Sequence, residues 1–221
     1  SDPTLVQDDY FRYKEQIYAL YADYSREYSE RFSMQLGLRM EHTRTTGISE
    51  AKDTEDKHDY TRLFPTVYLL YSPTDGHALN FSFSNRISRP SQNMVNPFPF
   101  YQNKYTYACG REDLKPSYTY NAELGYTLKN NFNVSAYYSY SDDVFFHVVG
   151  LDPETNISSF LWDNFMETHS FGLNNSYTFR TKWMQAYVQH GVNYSRTTSS
   201  AASTSVSYTH LRAHETLSDL V

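Results

Sequence analysis

The chain has 221 residues, of which 17% are aromatic and 22 are tyrosine, with a formal net charge of -6 and one cysteine, Cys109. The acidic balance argues against nucleic acid as a partner, and one thiol can build neither a disulfide framework nor a thiolate zinc site. Mean hydropathy is -0.67, and no run approaches the roughly 20 apolar residues that a spanning helix needs, whereas a membrane barrel stays open because half of each strand faces water or the lumen.

Alternation of apolar and polar residues marks a strand with one greasy and one wet face, and it predicts about eight of them. The first covers 16–24, with Tyr18, Leu20, Ala22 and Tyr24 on one face. A short link leads to 32–42, where Phe32, Met34, Leu36, Leu38 and Met40 alternate with glycine or polar residues, Arg39 and Glu41 included. A long charged loop is expected over 43–59. The third strand lies over 62–71; Pro65 sits in it and both parities are apolar, so its outward face stays open. Pro73 and Asp75-Gly76 mark a turn. The strand 78–86 then sets Leu79, Phe81 and Phe83 against Asn80, Ser82, Ser84 and Arg86, and a very long loop follows over 87–116.

The strand 117–128 sets Tyr118, Tyr120, Ala122, Leu124, Tyr126 and Leu128 against Thr119, Asn121, Glu123, Gly125 and Thr127. Lys129-Asn130-Asn131 makes a tight turn into 132–141, with Phe132, Val134, Ala136, Tyr138 and Tyr140 outward. Another long, partly apolar loop is expected over 142–163. Two more strands, 168–177 and 183–195, place Phe171, Leu173 and Tyr177, then Met184, Ala186, Val188, Val192 and Tyr194, on the outer face.

Short and long connections alternate, so all short links fall on one side of the sheet and all long ones on the other. In outer-membrane barrels these are the periplasmic and extracellular sides. Rings gather beside the short links (Tyr24, Phe32, Tyr71, Phe132, Tyr177, Phe179, Trp183) and near the long loops (Tyr60, Phe64, Tyr118, Tyr138, Phe165), as two interfacial belts would require. The predicted fold class is all-β: an antiparallel up-and-down meander forming an incomplete transmembrane β-barrel wall in the outer membrane of a Gram-negative bacterium, with outer-membrane lipid against its outer face.

Residues 206–216 read differently. They spell Val-Ser-Tyr-Thr-His-Leu-Arg-Ala-His-Glu-Thr, the codon-by-codon translation of a sequencing transposase adapter, and 219–221 fit its next block. The expected domain reading is 1–205 as a partial outer-membrane β-barrel cut at both ends, and 206–221 as an adapter-derived tail that is not native.

At the loop after the fourth strand, Arg89-Pro90 precedes Val95-Asn96-Pro97-Phe98, and Gly110, Leu114 and Pro116 follow in 110–117. These segments resemble the Arg-Pro…Leu-Asn-Pro-Phe and Gly-Asn-Pro-x-Leu-x-Pro-Glu patterns of TonB-dependent outer-membrane receptors. Gly110, Leu114 and Pro116 match the second pattern, while Arg111, Glu112 and Ser117 depart from it. The resemblance implies a whole receptor of about 22 strands around a plugged lumen. It implies an extracellular nutrient ligand, unknown from these residues, held by loops and plug, and import driven by energy delivered through TonB. The plug, through which TonB acts, is expected outside this chain, and a surface lipoprotein is a possible partner.

Candidate binding residues divide by position. Arg39, Glu41, Arg86, Arg89 and Glu123 face the lumen by parity, either to touch a passing solute or to form wall salt bridges and hydrogen bonds. Asp142, Asp143 and Trp162 lie with Phe145, Phe146 and Phe160 on outer loops, where aromatics either stack on a ligand or pack on one another. The charged stretch with Glu50, Lys52, Asp53, Glu55, Asp56, Lys57 and Asp59 fits a cation site or a solvated loop. No nucleophile, phosphate-loop or metal-protease pattern is present, so no catalytic residue, cofactor or metal is predicted. The sequons at Asn80, Asn133, Asn174 and Asn193 fit a lumen-facing role better than glycosylation. The alternative to the receptor is a complete small barrel of about eight strands with a structural or adhesive role, since eight can close around packed side chains.

Overall fold

The computed structural model describes residues 11–49, 54–199 and 207–220. They form β1 (Phe11–Ser29), β2 (Phe32–Ser49), β3 (Thr54–Tyr71), β4 (His77–Ser88), α1 (Gln92–Val95), β5 (Phe100–Asn103), β6 (Thr106–Cys109), β7 (Ser117–Leu128), β8 (Phe132–Asp152), β9 (Ile157–Arg180), β10 (Gln185–Ser199) and β11 (Ser207–Leu220). The wall runs β1-β2-β3-β4-β7-β8-β9-β10-β11, each strand antiparallel to the next, while β5 and β6 form a ribbon beside it. Among the described residues β1 does not pair with β10 or β11, so the sheet is an open wall.

Cross-strand register confirms the predicted parity. Leu20, Met40 and Leu63 stand in one row, as do Tyr24, Leu36 and Val67. Phe81, Leu124, Ala136, Leu173 and Val192 form another row through five strands. Directly opposed residues share a face, so the register settles the ambiguous third strand: Leu63, Pro65, Val67, Leu69 and Tyr71 face outward. These side chains are not sandwiched. Leu20 is 65% exposed, Leu124 56%, Leu63 53% and Leu173 48%, and the only buried hydrophobic residues among those described are Phe64, Val95, Leu114 and Tyr118. A water-soluble protein of this size would hide far more apolar surface. An apolar outer face in lipid accounts for it.

Between Leu128 and Asn131 the chain makes a two-residue turn closed by the Asn131 N–H to the Leu128 carbonyl at 3.0 Å. Lys129 and Asn130 take φ of 49° and 56°, the type I′ geometry whose twist matches the flanking strands.

Two predicted loops are corrected. Residues 43–49 and 54–59 continue β2 and β3 as one paired ladder, and 142–152 and 157–163 continue β8 and β9. These extensions carry polar residues on both faces (43–49 and 54–59) or consecutive apolar ones (Val144-Phe145-Phe146 and Phe160-Leu161-Trp162), so the apolar alternation that signals a strand is missing from them. The long loop over 87–116 is mostly irregular but holds α1 and the β5–β6 ribbon, and β6 pairs parallel to β9 from Thr106↔Ser158 to Cys109↔Leu161.

The predicted outer aromatic belt is also corrected in part. Phe64 and Tyr118 are buried, their rings stacked 6.5 Å apart with Arg62 over Tyr118 and Arg39 over Phe64. The β3–β4 ladder ends at Thr66↔Ser84. Beyond it the outward side of β7 packs on the inward side of β3, which brings these two rings together. Tyr138 remains outward, 4.7 Å from Phe171.

Residues 207–220 pair with β10 from Gln185↔Leu220 to Thr198↔Ser207. A free strand edge accepts any extended segment, so this pairing carries no information about the segment's origin.

Candidate functional site

The site lies at the extracellular side, where the β4–β7 connection folds over the inner face of the wall. It has a backbone clasp, an ion cluster beneath it and a cleft beside it.

The clasp joins the two motif segments. The Gly110 N–H donates to the Asn96 carbonyl and the Arg111 N–H to the Met94 carbonyl, both at 2.8 Å. A Cβ on Gly110 would collide with the carbonyl oxygens of Met94 and Asn96, so only glycine permits this approach. Asn96 accepts the Phe98 N–H on its own Oδ1 at 3.1 Å, turning the chain after α1. The Cys109 thiol donates to the Pro97 carbonyl at 3.0 Å. Val95 and Leu114 are buried under the clasp, and Pro90 and Pro116 lie with them around a small cavity. Arg111 fastens the far side by hydrogen bonds to Asp113 and Asp163. Hydrogen bonding to Arg111 holds the Asp113 carboxyl below the usual carboxylate range, against the opposing pull of partial burial.

The ion cluster centres on Arg89. Its Nη2 donates to Glu41 Oε2 at 2.6 Å and to Thr43 Oγ1 at 3.3 Å. Arg89 Nε lies 3.4 Å from Glu15 as an ion pair without hydrogen-bond alignment, and Tyr60 hydrogen-bonds the same guanidinium. Glu41 also meets Arg39 Nε at 3.3 Å. Burial is the largest single influence and opposes the Arg89 charge, but the hydrogen bonds and charges of Glu41 and Tyr60 together outweigh it and raise the guanidinium above its usual value. Tyr13, beside this cluster, is pushed up to about 12 by burial and then by the Glu15 charge. Glu41 and Thr43 are buried. One arginine thus ties the arch to both β1 and β2.

Of the predicted lumenal residues, Arg39, Glu41 and Arg89 converge here, committed to one another. Arg86 and Glu123 do not join them. Arg86 is exposed beside Phe64 and Asn85, and exposed Glu123 lies lower on the wall among Asn80, Thr127, Asn133, Asn174 and Gln189. There the sequon asparagines bond within the wall: Asn133 accepts from Thr127 at 2.8 Å, and Asn193 donates to the Tyr137 hydroxyl at 2.6 Å. Asp142 and Asp143 form a bulge. Asp143 has φ 53°, and the ladder shifts between Ser141 and Val144. The Asp143 carbonyl accepts Asn164 Nδ2 at 2.7 Å. Trp162 lies against His147, ring centroids 3.8 Å apart and tilted, and helps line a cleft of about 390 Å³ with Asn96, Phe98, Phe100, Cys109 and Gly110. Within the charged stretch, Asp59 bonds Arg44 at 3.0 Å and His42 at 3.2 Å, while Glu50, Lys52 and Asp53 lie outside the described residues.

Sequence reasoning missed Glu15 and Thr43, and it set Tyr60 in the outer aromatic belt, whereas Tyr60 stands opposite Thr43 on the inner face and hydrogen-bonds Arg89. All three have inward parity, and extending the alternation past the apolar part of each strand would have found Glu15 and Thr43.

This architecture defines a class: a membrane β-barrel wall with short turns on one side and long, clasped connections on the other. Residues 1–216 match the outer membrane protein β-barrel family, and the chain belongs to that family, which places it in the outer membrane. No curated protein matches the chain. Its fold is similar to that of the siderophore receptor PirA from Pseudomonas aeruginosa, at 12% identity and a TM-score of 0.53, covering 93% of this chain and 50% of PirA. It is similar to the copper transporter OprC at 12% identity and a TM-score of 0.60, covering 87% and 30% of the two chains. The FrpB iron transporter from Neisseria meningitidis follows at 14% identity and a TM-score of 0.55, covering 87% and 27%. The chain therefore spans half or less of the length of these structures, and at these identities the likeness is one of fold.

Proposed function

We propose that this chain is part of the wall of a TonB-dependent receptor that imports a nutrient across the outer membrane with energy delivered through TonB. The observation that carries the reading is the clasp: residues matching the two receptor motifs, 12 or more positions apart in sequence, are locked together through Gly110 and Asn96 and anchored to the wall by Arg89. The fold shared with siderophore, copper and iron receptors supports it. The aromatic cleft that Trp162 shares with Phe98 and Phe100 is where an extracellular ligand would first meet this part of the receptor. A surface lipoprotein could dock on the same long hairpins. The small closed barrel is the weaker reading, because the strands before residue 200 form an open order.

The test uses the complete gene. A receptor of this kind carries a plug, so the purified protein in planar bilayers should conduct almost no ions, and uptake of its ligand should stop when TonB is deleted. A permanently open pore, or uptake indifferent to TonB, would overturn the proposal. The reading of 206–221 as adapter-derived is tested separately by resequencing the locus with a different library chemistry: these residues should be replaced by other sequence.

A further inference from the structure

The outward face of β1–β3 changes character abruptly toward the extracellular side. Its uppermost wholly apolar row is Leu20, Met40 and Leu63, with exposures of 65%, 39% and 53%. The next row holds Tyr18, His42 and Thr61; above it stand Gln16, Arg44 and Asp59, then Lys14, Thr46 and Lys57. The β1–β2 register is unbroken from Phe11 to Glu27 and the β2–β3 register throughout, so all these residues share one face. Contacts agree: the Tyr18 and His42 rings lie 6.3 Å apart, and Arg44 bonds Asp59 at 3.0 Å. In the two upper rows three cations, Lys14, Arg44 and Lys57, stand against one carboxylate, Asp59, on a chain whose net charge is -6.

We propose that this rim binds the phosphate headgroup of an outer-leaflet lipid whose acyl chains lie on the apolar rows below. Height fits the assignment. Arg44 is four residues above Met40, about 13 Å along the strand at roughly 3.3 Å per residue. Lysine and arginine stems cover part of such a step and keep the charge at headgroup level. Orientation fits as well, because the long hairpins mark the extracellular side and hence the outer leaflet. A free anion would gain nothing from the apolar rows, whereas a phosphorylated lipid meets both surfaces at once. Asp59 holds Arg44 and His42 in place from the same face, as a positioning residue.

The experiment uses the full-length protein in phosphatidylcholine nanodiscs, titrated with bis-phosphorylated lipid A while thermal unfolding is followed. The wild type should gain stability with a saturable midpoint. Removing each cation should raise that midpoint about fivefold, so that the combined Lys14→Gln, Arg44→Gln, Lys57→Gln variant shifts it by on the order of a hundredfold, with unfolding in phosphatidylcholine alone unchanged. Dephosphorylated lipid A and free inorganic phosphate should give no such gain. An unshifted midpoint in the triple variant, or an equal gain from dephosphorylated lipid or free phosphate, overturns the proposal. Should the triple variant not fold, single Lys14→Gln against Lys14→Arg decides: the glutamine raises the midpoint and the arginine leaves it unchanged, and an equal response of the two overturns the proposal.

Discussion

Arg89 and Glu41 meet across 48 residues of chain, Nη2 to Oε2 at 2.6 Å, and that contact joins the extracellular arch to the barrel wall. Glu41 is buried and Arg89 is 20% exposed. Removing Arg89 leaves buried Glu41 with the more exposed Arg39 as its counter-charge, so Arg89→Ala should destabilise the full-length barrel by about 3 kcal/mol. Glu41→Gln should cost less, because Arg89 keeps Glu15. Urea unfolding from lipid vesicles, run as a double-mutant cycle, measures the coupling; additive single effects would place the interaction elsewhere.

Gly110→Val should open the clasp. Its side chain would meet the Met94 and Asn96 carbonyls, so the backbone bonds must break, and a loss above about 2 kcal/mol is expected from the strain and lost bonds together. The readout is extracellular protease cleavage within 90–116, fast in the variant and slow in the wild type, with the barrel itself still heat-resistant.

Tyr137 lies across Gly172 on the lumenal face and accepts the Asn193 amide on its hydroxyl at 2.6 Å. Covering a strand glycine with an aromatic ring restores the packing that the glycine forgoes. Tyr137→Phe should cost about 1 kcal/mol for the hydrogen bond, and Tyr137→Ala about 3 kcal/mol as the ring is lost too. Equal effects from the two would mean that the ring contributes nothing.

The Arg111–Asp113 pair gives an acid-side dependence. The folded Asp113 carboxyl titrates below its unfolded value, so its contribution is present above the unfolded pKa and is lost as pH falls through the folded one. Both groups are about half exposed, so the contribution is roughly 0.2–1 kcal/mol. The stability gap between wild type and Asp113→Asn should be constant above about pH 5 and close toward pH 3; a gap that widens on acidification would reverse the sign.

The membrane-spanning part was legible because hydrocarbon imposes a period of two: the strand read over 117–128 coincides with β7. The signal faded where the wall leaves the membrane. Over 43–49 and 54–59 polar residues occupy both faces, so threonine, arginine and aspartate pair in register without apolar alternation, with Thr43 buried beside Arg89. Over 142–163 the Asp142–Asp143 bulge breaks the parity. Tyr118 follows the outward parity yet is buried, because where β3 and β4 part is set by pairing, not by local sequence. The motif residues were recognisable, but that Gly110 meets Asn96, or that Glu15 and Glu41 converge on Arg89, depends on contacts distant in sequence.

Leu124 stands near the middle of β7 on the lipid side, with lumenal Glu123 beside it. Leu124→Arg should cost about 2–4 kcal/mol in vesicles, and Glu123→Arg should stay within about 0.5 kcal/mol. Similar costs at both positions would mean that the two faces meet the same medium.

The most direct measurement is spin-label accessibility at each position from 79 to 84 in the full-length protein in lipid. Labels replacing Leu79, Phe81 and Phe83 should be relaxed by dissolved oxygen and shielded from a water-soluble nickel chelate. Those replacing Asn80, Ser82 and Ser84 should show the reverse preference. Labels at the odd positions protected from both reagents, as between two packed layers, would contradict the wall described here.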